Sequence, residues 1–474
     1  MQTITDTGPR TGDVPALARV PVWTIAGAVG VVLLATSAFG GYWFDELYFV
    51  AAGRHLAWGY ADQPWLVPWL AAGLDALMPD SPFLLRVPAV LSAVGGVVLT
   101  ARIARELGGE RRAQVLAAGA YAVSPWLVAS AHWLATYTLD PFWWLLIGWL
   151  VVRWTRVRDD RLLLWAGIAT ALALQTKFLV PLLWIALAAG ILISGPRALL
   201  TRPLLWAGAG IAVLVTLPTL GWQVANGWPY LEFTKVVGSE AKRLDIITGL
   251  PVQAGLVGIV FIGYALWRLL RSEQLRPYRY LAWTFIGVTV LCVLLDGRAY
   301  YTSGLYGVLF AVASVELGRR NLVRWWQFVA WPGYVLSAAG TAGLLAVLVS
   351  SGAITARSTI EPVAAAYRSL SPQQRAETAI VAEIYPTAAT LDHYADELGL
   401  PRAYSPHRGY WFFGPPPETA TDLLYITAGE VDRMRPHFAR SRPLDEPSGL
   451  WLMEDRTEPW PVIWPRVRAG LSVN

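Results

Sequence analysis

Apolar stretches of bilayer-crossing length recur along this chain, and they constrain its architecture more than any other feature. Covering the ~30 Å hydrocarbon layer takes roughly 20 apolar residues as a helix. The runs at 22–38, 87–100, 163–174 and 335–349 reach or approach that length, the shorter ones through weakly polar flanks. Charge is scarce between them. Of 474 residues, 15% are Asp, Glu, Lys or Arg, against about 25% in soluble domains. A soluble helical protein with this pattern would have no polar surface. The 25 Trp and 19 Tyr suit the headgroup level, which amphipathic rings favour. The net charge of +5 does not indicate nucleic acid, because the arginines sit in short loops rather than along one face.

Eleven spans are predicted, with cores near 21–40, 84–103, 113–131, 141–152, 162–176, 178–194, 203–221, 249–267, 280–295, 303–317 and 328–350. This divides the chain into a polar tail (1–20), a membrane domain (21–352) and a soluble domain (353–474). The first run has no A-x-A-like site before polar sequence resumes, so it is read as a retained span rather than a cleaved signal. The single cysteine, Cys292, permits no intrachain disulfide.

Basic residues alternate between loops. One set holds Arg102, Arg105, Arg111, Arg112, Arg153, Arg156, Arg158, Arg161, Arg197, Arg202, Arg268, Arg271, Arg276, Arg279, Arg319, Arg320 and Arg324. The other is sparser: Arg54, Arg86, Lys177, Lys235, Lys242, Arg243 and Arg298. The positive-inside rule puts the first set, and the N-terminus, in the cytoplasm. An odd number of spans then puts the C-terminal domain outside.

The outer loops carry the chemistry. Asp45 and Glu46 follow the first span, and two acids there must reach the headgroups or find partners. A carboxylate there suits a general base that takes the proton of an attacking hydroxyl; Asp45 is the choice, since adjacent helical residues do not share a face and Glu46 would point elsewhere. Asp140 closes the loop 132–140; it is a third candidate catalytic carboxylate, placed to orient the acceptor or an ion, and a helix N-cap would explain it equally. Asp62 and His132, in the first two outer loops, are candidate substrate contacts. Lys177 stands between two apolar runs in a chain that otherwise uses arginine almost throughout. It is a snorkelling cation or a phosphate contact. Arg298, Tyr300 and Tyr301 offer a second cation with two phenols, the groups a phosphate needs near low dielectric. The five histidines show no H-x-x-H spacing, and no P-loop or G-x-G-x-x-G turn occurs. Beyond 353, apolar segments at 379–384 and 423–426 among Pro-rich turns predict a small α/β unit. His407, Tyr410 and Trp411 are its candidate substrate contacts, and they suit its own core equally well.

These segments come in a recognisable order: Phe44-Asp45-Glu46-Leu47-Tyr48, Tyr60-Ala61-Asp62-Gln63-Pro64, Arg86-Val87-Pro88, Leu139-Asp140, Gln175-Thr176-Lys177-Phe178, Pro218-Thr219-Leu220-Gly221-Trp222, Asn226-Gly227-Trp228-Pro229, Tyr300-Tyr301 and Ser405-Pro406-His407-Arg408-Gly409-Tyr410-Trp411. The chain resembles the GT-C-fold membrane glycosyltransferases of the protein O-mannosyltransferase and bacterial aminoarabinose transferase group. Gln223 stands where that group often has asparagine. The resemblance implies an all-α multi-pass bundle with amphipathic helices in the first outer loop and a small α/β extracytoplasmic domain. It implies a polyprenyl-phosphate sugar as donor, a hydroxyl acceptor on a lipid, cell-wall glycan or protein, and inversion at the anomeric carbon. A divalent ion near the carboxylates is compatible with it. The rival reading, a transporter or lipid flippase, expects charges near the bilayer midplane and repeated halves. Here the charges lie at outer helix ends and no repeat is visible. The location expected is the plasma membrane.

Overall fold

The computed structural model describes residues 14–470 except 241–243, 320–324, 352–354, 428 and 446–447. Lys242, Arg243, Arg320, Arg324 and most of the 1–20 tail therefore lie outside the described residues.

The chain begins with α1 (Arg19–Ser37), two short helices α2 (Phe44–Gly53) and α3 (Leu66–Leu77), then α4 (Pro82–Glu106). Next come α5 (Arg111–Ala122), α6 (Pro125–Ala129), α7 (Thr136–Val157), α8 (Arg161–Thr176), α9 (Val180–Ser194) and α10 (Pro203–Ala225). The bundle continues through α11 (Pro229–Glu240), α12 (Asp245–Thr248), α13 (Leu250–Arg271), α14 (Tyr280–Leu294), α15 (Tyr306–Arg319) and α16 (Trp325–Ser351). Among the described residues, six helices are long and apolar enough to cross a membrane, or seven if the bent pair Arg111–Ala122 and Pro125–His132 is one span. The remaining expected spans fall on shorter helices such as α8 and α9, or on the more polar α7. This is a multi-pass membrane protein. Trp206, Leu214, Trp331 and Val335 are exposed on α10 and α16, apolar surface that hydrocarbon rather than water would cover.

Small residues let the helices approach closely. A Cβ on Gly167 of α8 would lie 2.2 Å from the Cα of Gly208 on α10. That is the close approach on which membrane helices rely where burial from water supplies no drive.

Polar groups gather at the two ends of the bundle. At one end Glu106 receives Arg156 (2.5 Å) and Arg153 (3.5 Å), and Glu316 receives Arg268 (2.5 Å) and Arg319 (2.8 Å). Arginines from three of the basic loops thus meet on two buried acids. At the opposite end, α2, α11, the start of α7 and the segments before α3, α7, α9 and α15 line a cavity.

Beyond α16 lie α17 (Glu361–Ser369), α18 (Pro372–Glu377), β1 (Thr378–Ala382), α19 (Tyr385–Leu398), β2 (Ala403–Tyr404), α20 (Arg408–Trp411), β3 (Asp422–Ile426), β4 (Phe438–Asp445), β5 (Leu450–Arg456) and α21 (Trp460–Arg466). The five strands form one sheet, ordered β2-β1-β3-β5-β4. β1 pairs in parallel with β2 and β3, and β5 pairs antiparallel with β3 and β4. All of β1 is buried, as expected of a strand covered on both faces. This is the small α/β unit predicted beyond 353. Its α19 packs on α2, which brings it to the cavity.

Candidate active site

The site is organised from the start of α2. The backbone N–H of Trp43 donates to Glu46 Oε2 (2.9 Å) and closes the first turn. Residues one apart on a helix point about 100° apart, so Asp45 and Glu46 face different surroundings. Glu46 turns inward to Arg86 of α4, and both side chains are 0% exposed. Arg86 donates twice, Nε to Glu46 Oε1 (3.0 Å) and Nη2 to Oε2 (2.8 Å). The N–H of Leu134 also donates to Glu46 Oε1, at 3.0 Å. A carboxylate has about four acceptor positions, and here all four are taken. Glu46 is thereby removed as a proton acceptor; it holds α2 to α4. His132 belongs to the same knot: its Nε2 lies 3.3 Å from Arg86 Nη1. Arginine carries no acceptor, so this nitrogen must accept.

Asp45 faces the cavity. Tyr385, the first residue of α19, donates its hydroxyl to Asp45 Oδ1 at 2.8 Å. Asp62 lies on the same wall and accepts the Tyr48 hydroxyl at 2.8 Å. Burial raises the Asp45 carboxyl above its ordinary value, against the opposing charges of Arg408 and Arg298. Burial also pushes Asp62 up to about 6, again opposed by Arg408.

Arg408 is the residue that sequence reasoning missed. It is 9% exposed and has a left-handed backbone, φ +49°. A non-glycine residue there costs of order 1–3 kcal/mol, a strain typical of functional positions. Its guanidinium lies 4.8 Å above the Tyr385 ring and 5.4 Å from that of Phe233. Gly409 makes this approach possible, because a Cβ there would meet the Tyr48 hydroxyl at 1.9 Å. Tyr385 was missed as well. The one available signal was an arginine between two of the quoted aromatic motif residues, His407 and Tyr410.

α8 ends at Lys177, whose backbone is extended. Its ammonium lies 4.9 Å from the Tyr300 ring and 4.5 Å from the Tyr301 ring. Tyr300 stacks in turn on Trp126 at 4.9 Å. Asp45, Asp62, Lys177, Arg298, Tyr300, Tyr301, Tyr385 and Arg408 line one cavity of about 480 Å³. A second cavity of about 620 Å³ shares Lys177, Tyr230, Phe233, Val237 and Tyr301 with it and adds Phe178, Leu179, Leu182 and Leu295.

The other predicted contacts stand back from the cavity. Asp140 is buried within α7 rather than capping it. Its Oδ1 has no hydrogen-bond partner among the described residues, and the cation acting on it is Lys177. The three aromatic candidates of the outer unit support its fold. His407 Nδ1 accepts the N–H of Tyr385 (3.2 Å), and the Tyr410 hydroxyl donates to Asp392 (2.9 Å). Trp411 and Trp464 each donate an indole N–H to the other's carbonyl, at 2.9 and 3.0 Å. Gln223, the departure from the expected asparagine, donates to the carbonyl of Tyr60 (2.9 Å) and accepts from the N–H of Tyr230 (3.1 Å). It ties the Asp62 loop to α11. No group of three or more His, Cys, Asp or Glu side chains among the described residues is placed to hold a metal ion. At Asp45 and Asp62 the compensating charge is that of Arg408, so a divalent ion does not fit the residues present.

Residues 62–222 match the sequence profile of the dolichyl-phosphate-mannose-protein mannosyltransferase family. Among solved structures, ArnT from Cupriavidus metallidurans bound to undecaprenyl phosphate superposes with a TM-score of 0.65 at 14% identity, over 92% of this chain and 97% of that one. The fold is GT-C. The archaeal oligosaccharyltransferase AglB from Archaeoglobus fulgidus, in complex with an inhibitory peptide and a dolichol-phosphate, also superposes, with a TM-score of 0.51 at 14% identity over 81% of this chain and 64% of that one. No curated protein matches in sequence. The GT-C scaffold here thus carries one cavity lined by the carboxylates of Asp45 and Asp62, the cations Lys177, Arg298 and Arg408, and several phenols.

Proposed function

We propose that this GT-C protein is an inverting glycosyltransferase that moves a sugar from a polyprenyl-phosphate donor to a hydroxyl in the cell envelope, at the outer face of the plasma membrane. One observation carries the reading. A single cavity joins the Asp45–Tyr385 pair to the cluster of Lys177, Arg298, Tyr300 and Tyr301. In the reaction the acceptor oxygen bonds to the anomeric carbon and its proton passes to Asp45. The bond from that carbon to the phosphate oxygen breaks, and the phosphate keeps the electron pair. Lys177 and Arg298 stabilise the charge that grows there, where preorganised cations are most effective. Attack by the hydroxyl held at Asp45, from the side opposite the departing phosphate, inverts the centre. The adjoining apolar cavity beside Phe178 and Leu182 suits the polyprenyl chain. The alternation of basic loops supports the orientation proposed for these segments: the tail 1–20 cytoplasmic, 21–352 in the membrane and 353–474 outside.

The deciding assay incubates the purified protein with polyprenyl-phosphate sugars and a panel of lipid, glycan and peptide acceptors, and follows product stereochemistry. Retention of configuration, or sugar release without transfer to any acceptor, would exclude the reading. Lys177→Met should weaken donor binding by about 10–100-fold, since a hydrogen bond to a charged group contributes roughly 1.5–3 kcal/mol. Titration with the polyprenyl phosphate itself measures this, and unchanged affinity would free Lys177 from the role.

Transfer should also fall as pH drops through about 6. The carboxylates act ionised, and Asp62 takes up its proton near 6 while Asp45 is raised in the same direction. Activity is therefore present above this window and lost below it. A kcat/KM profile with its acid limb at the ordinary carboxylate value of ~4 would show that neither group controls the rate.

A further inference from the structure

The outer sheet holds another cavity, of about 560 Å³, that the transfer chemistry leaves unused. Its place follows from strand order. β1 has β2 on one side and β3 on the other, both parallel to it. The chain leaves β1 toward β2 and later returns to the opposite flank as β3. Connections therefore diverge at the carboxyl ends of β1 and β3, where open α/β sheets bind ligands. Glu383 follows β1 directly and Thr427 follows β3 directly. Both line the cavity, with Thr387 and Thr390 of α19, Thr355, and Trp451 of β5. The volume lies within the ~300–1,000 Å³ of small-molecule sites.

The wall has a definite chemistry. The Thr427 hydroxyl donates to Glu383 Oε2 (2.5 Å), that of Thr390 to the carbonyl of Pro386 (2.9 Å), and that of Thr355 to the carbonyl of Tyr42 (2.5 Å). With their protons committed, these hydroxyls can act toward a ligand only as acceptors, Thr427 Oγ1 already taking the N–H of Gly429 at 2.9 Å, and an ionised carboxylate only accepts. No lysine or arginine among the described residues lines the cavity. Such a wall repels phosphates and carboxylates and suits a ligand rich in O–H donors. Trp451 adds an aromatic surface for the C–H faces of a sugar ring. The crevice is also joined to the catalytic wall. Glu383 is two residues from Tyr385, whose hydroxyl holds Asp45, and Thr355 is bonded to Tyr42, three residues before Asp45.

We propose that this crevice binds a neutral oligosaccharide, holding the body of an acceptor glycan while its terminal hydroxyl occupies the Asp45 cavity; the acceptor role rests on the transferase reading above. The test uses the full-length protein in detergent, with mannotetraose, arabinotetraose and maltotetraose as probes, and binding followed by calorimetry and ligand-observed NMR. At least one probe should bind saturably, without competition from inorganic phosphate. Asp45→Asn should keep that affinity. Thr387→Trp, which fills the crevice from the first turn of α19, should reduce it at least 10-fold. Glu383→Gln, which keeps the side chain's shape, should also weaken it and guards against a folding defect in the bulkier variant. Absence of saturable binding by all three probes, competition by phosphate, or wild-type affinity in both variants would each overturn the proposal. Saccharide binding intact in a protein that transfers no sugar would refute the transferase reading and leave the crevice as a saccharide site. Transfer without crevice binding would refute the crevice alone.

Discussion

Asp45→Asn is expected to lower sugar transfer by about 10²–10⁴-fold, the usual contribution of a positioned general base, while donor binding stays near wild type. The substitution keeps the size of the side chain, and its amide oxygen can still accept the Tyr385 hydroxyl. The carboxylate anchored at the mouth of α2 is lost, and with it the group whose raised proton affinity suits a base. Donor affinity should persist because Lys177 and Arg298 are left in place. Single-turnover transfer and donor titration on the same preparation separate the two effects. Near-normal turnover would transfer the role to Asp62, the second carboxylate lining that cavity. Glu46 is no substitute, since its acceptor positions are filled.

Glu46→Ala is expected to destabilise the protein by about 3–5 kcal/mol, the cost of leaving one partner of a buried ion pair without the other. Arg86 would keep its bonds to the carbonyls of Ser37, Phe39 and Gly41, but its charge would have no counterpart. The loop before α7 would also lose the Leu134 anchor. Unfolding in mixed micelles, followed by tryptophan fluorescence, gives the change. Replacing Glu46 and Arg86 together with apolar residues of similar volume should recover most of the loss, because desolvation of both charges then disappears. If Glu46→Ala unfolded like wild type yet lost transfer, Glu46 would be part of the chemistry instead.

The two acids in the first turn of α2 show where reading a sequence reaches its limit. Asp45 and Glu46 are chemically near-equivalent neighbours, and nothing in their order tells which meets Arg86, forty residues on. The fold separates them by one helical step, into a saturated ion pair and a cavity wall. Aromatic residues of the outer unit make the same point. His407, Tyr410 and Trp411 were legible as a cluster, but their polar atoms turn to Tyr385, Asp392 and Trp464. Arg408, among them, is carried to the carboxylates by a left-handed turn that composition does not announce.

Composition and periodicity by themselves determined that this chain spans a membrane many times, that its arginines gather at one end, and that a mixed α/β unit follows the helices. These properties depend on the free energy of transferring each segment into hydrocarbon or of alternating its faces, which is local and additive along the chain. Lys177 was legible for the same reason: a cation between two apolar runs has few places to go. Lys177 and the Arg298–Tyr301 segment were expected from sequence to approach one another, and they line one cavity. Tertiary structure alone decided that Asp45 and Arg408 share it, through the packing of α19 against α2 and gaps such as the one left at Gly409. Charge on a side chain is written in the sequence, but the partner that neutralises it is set by the packing.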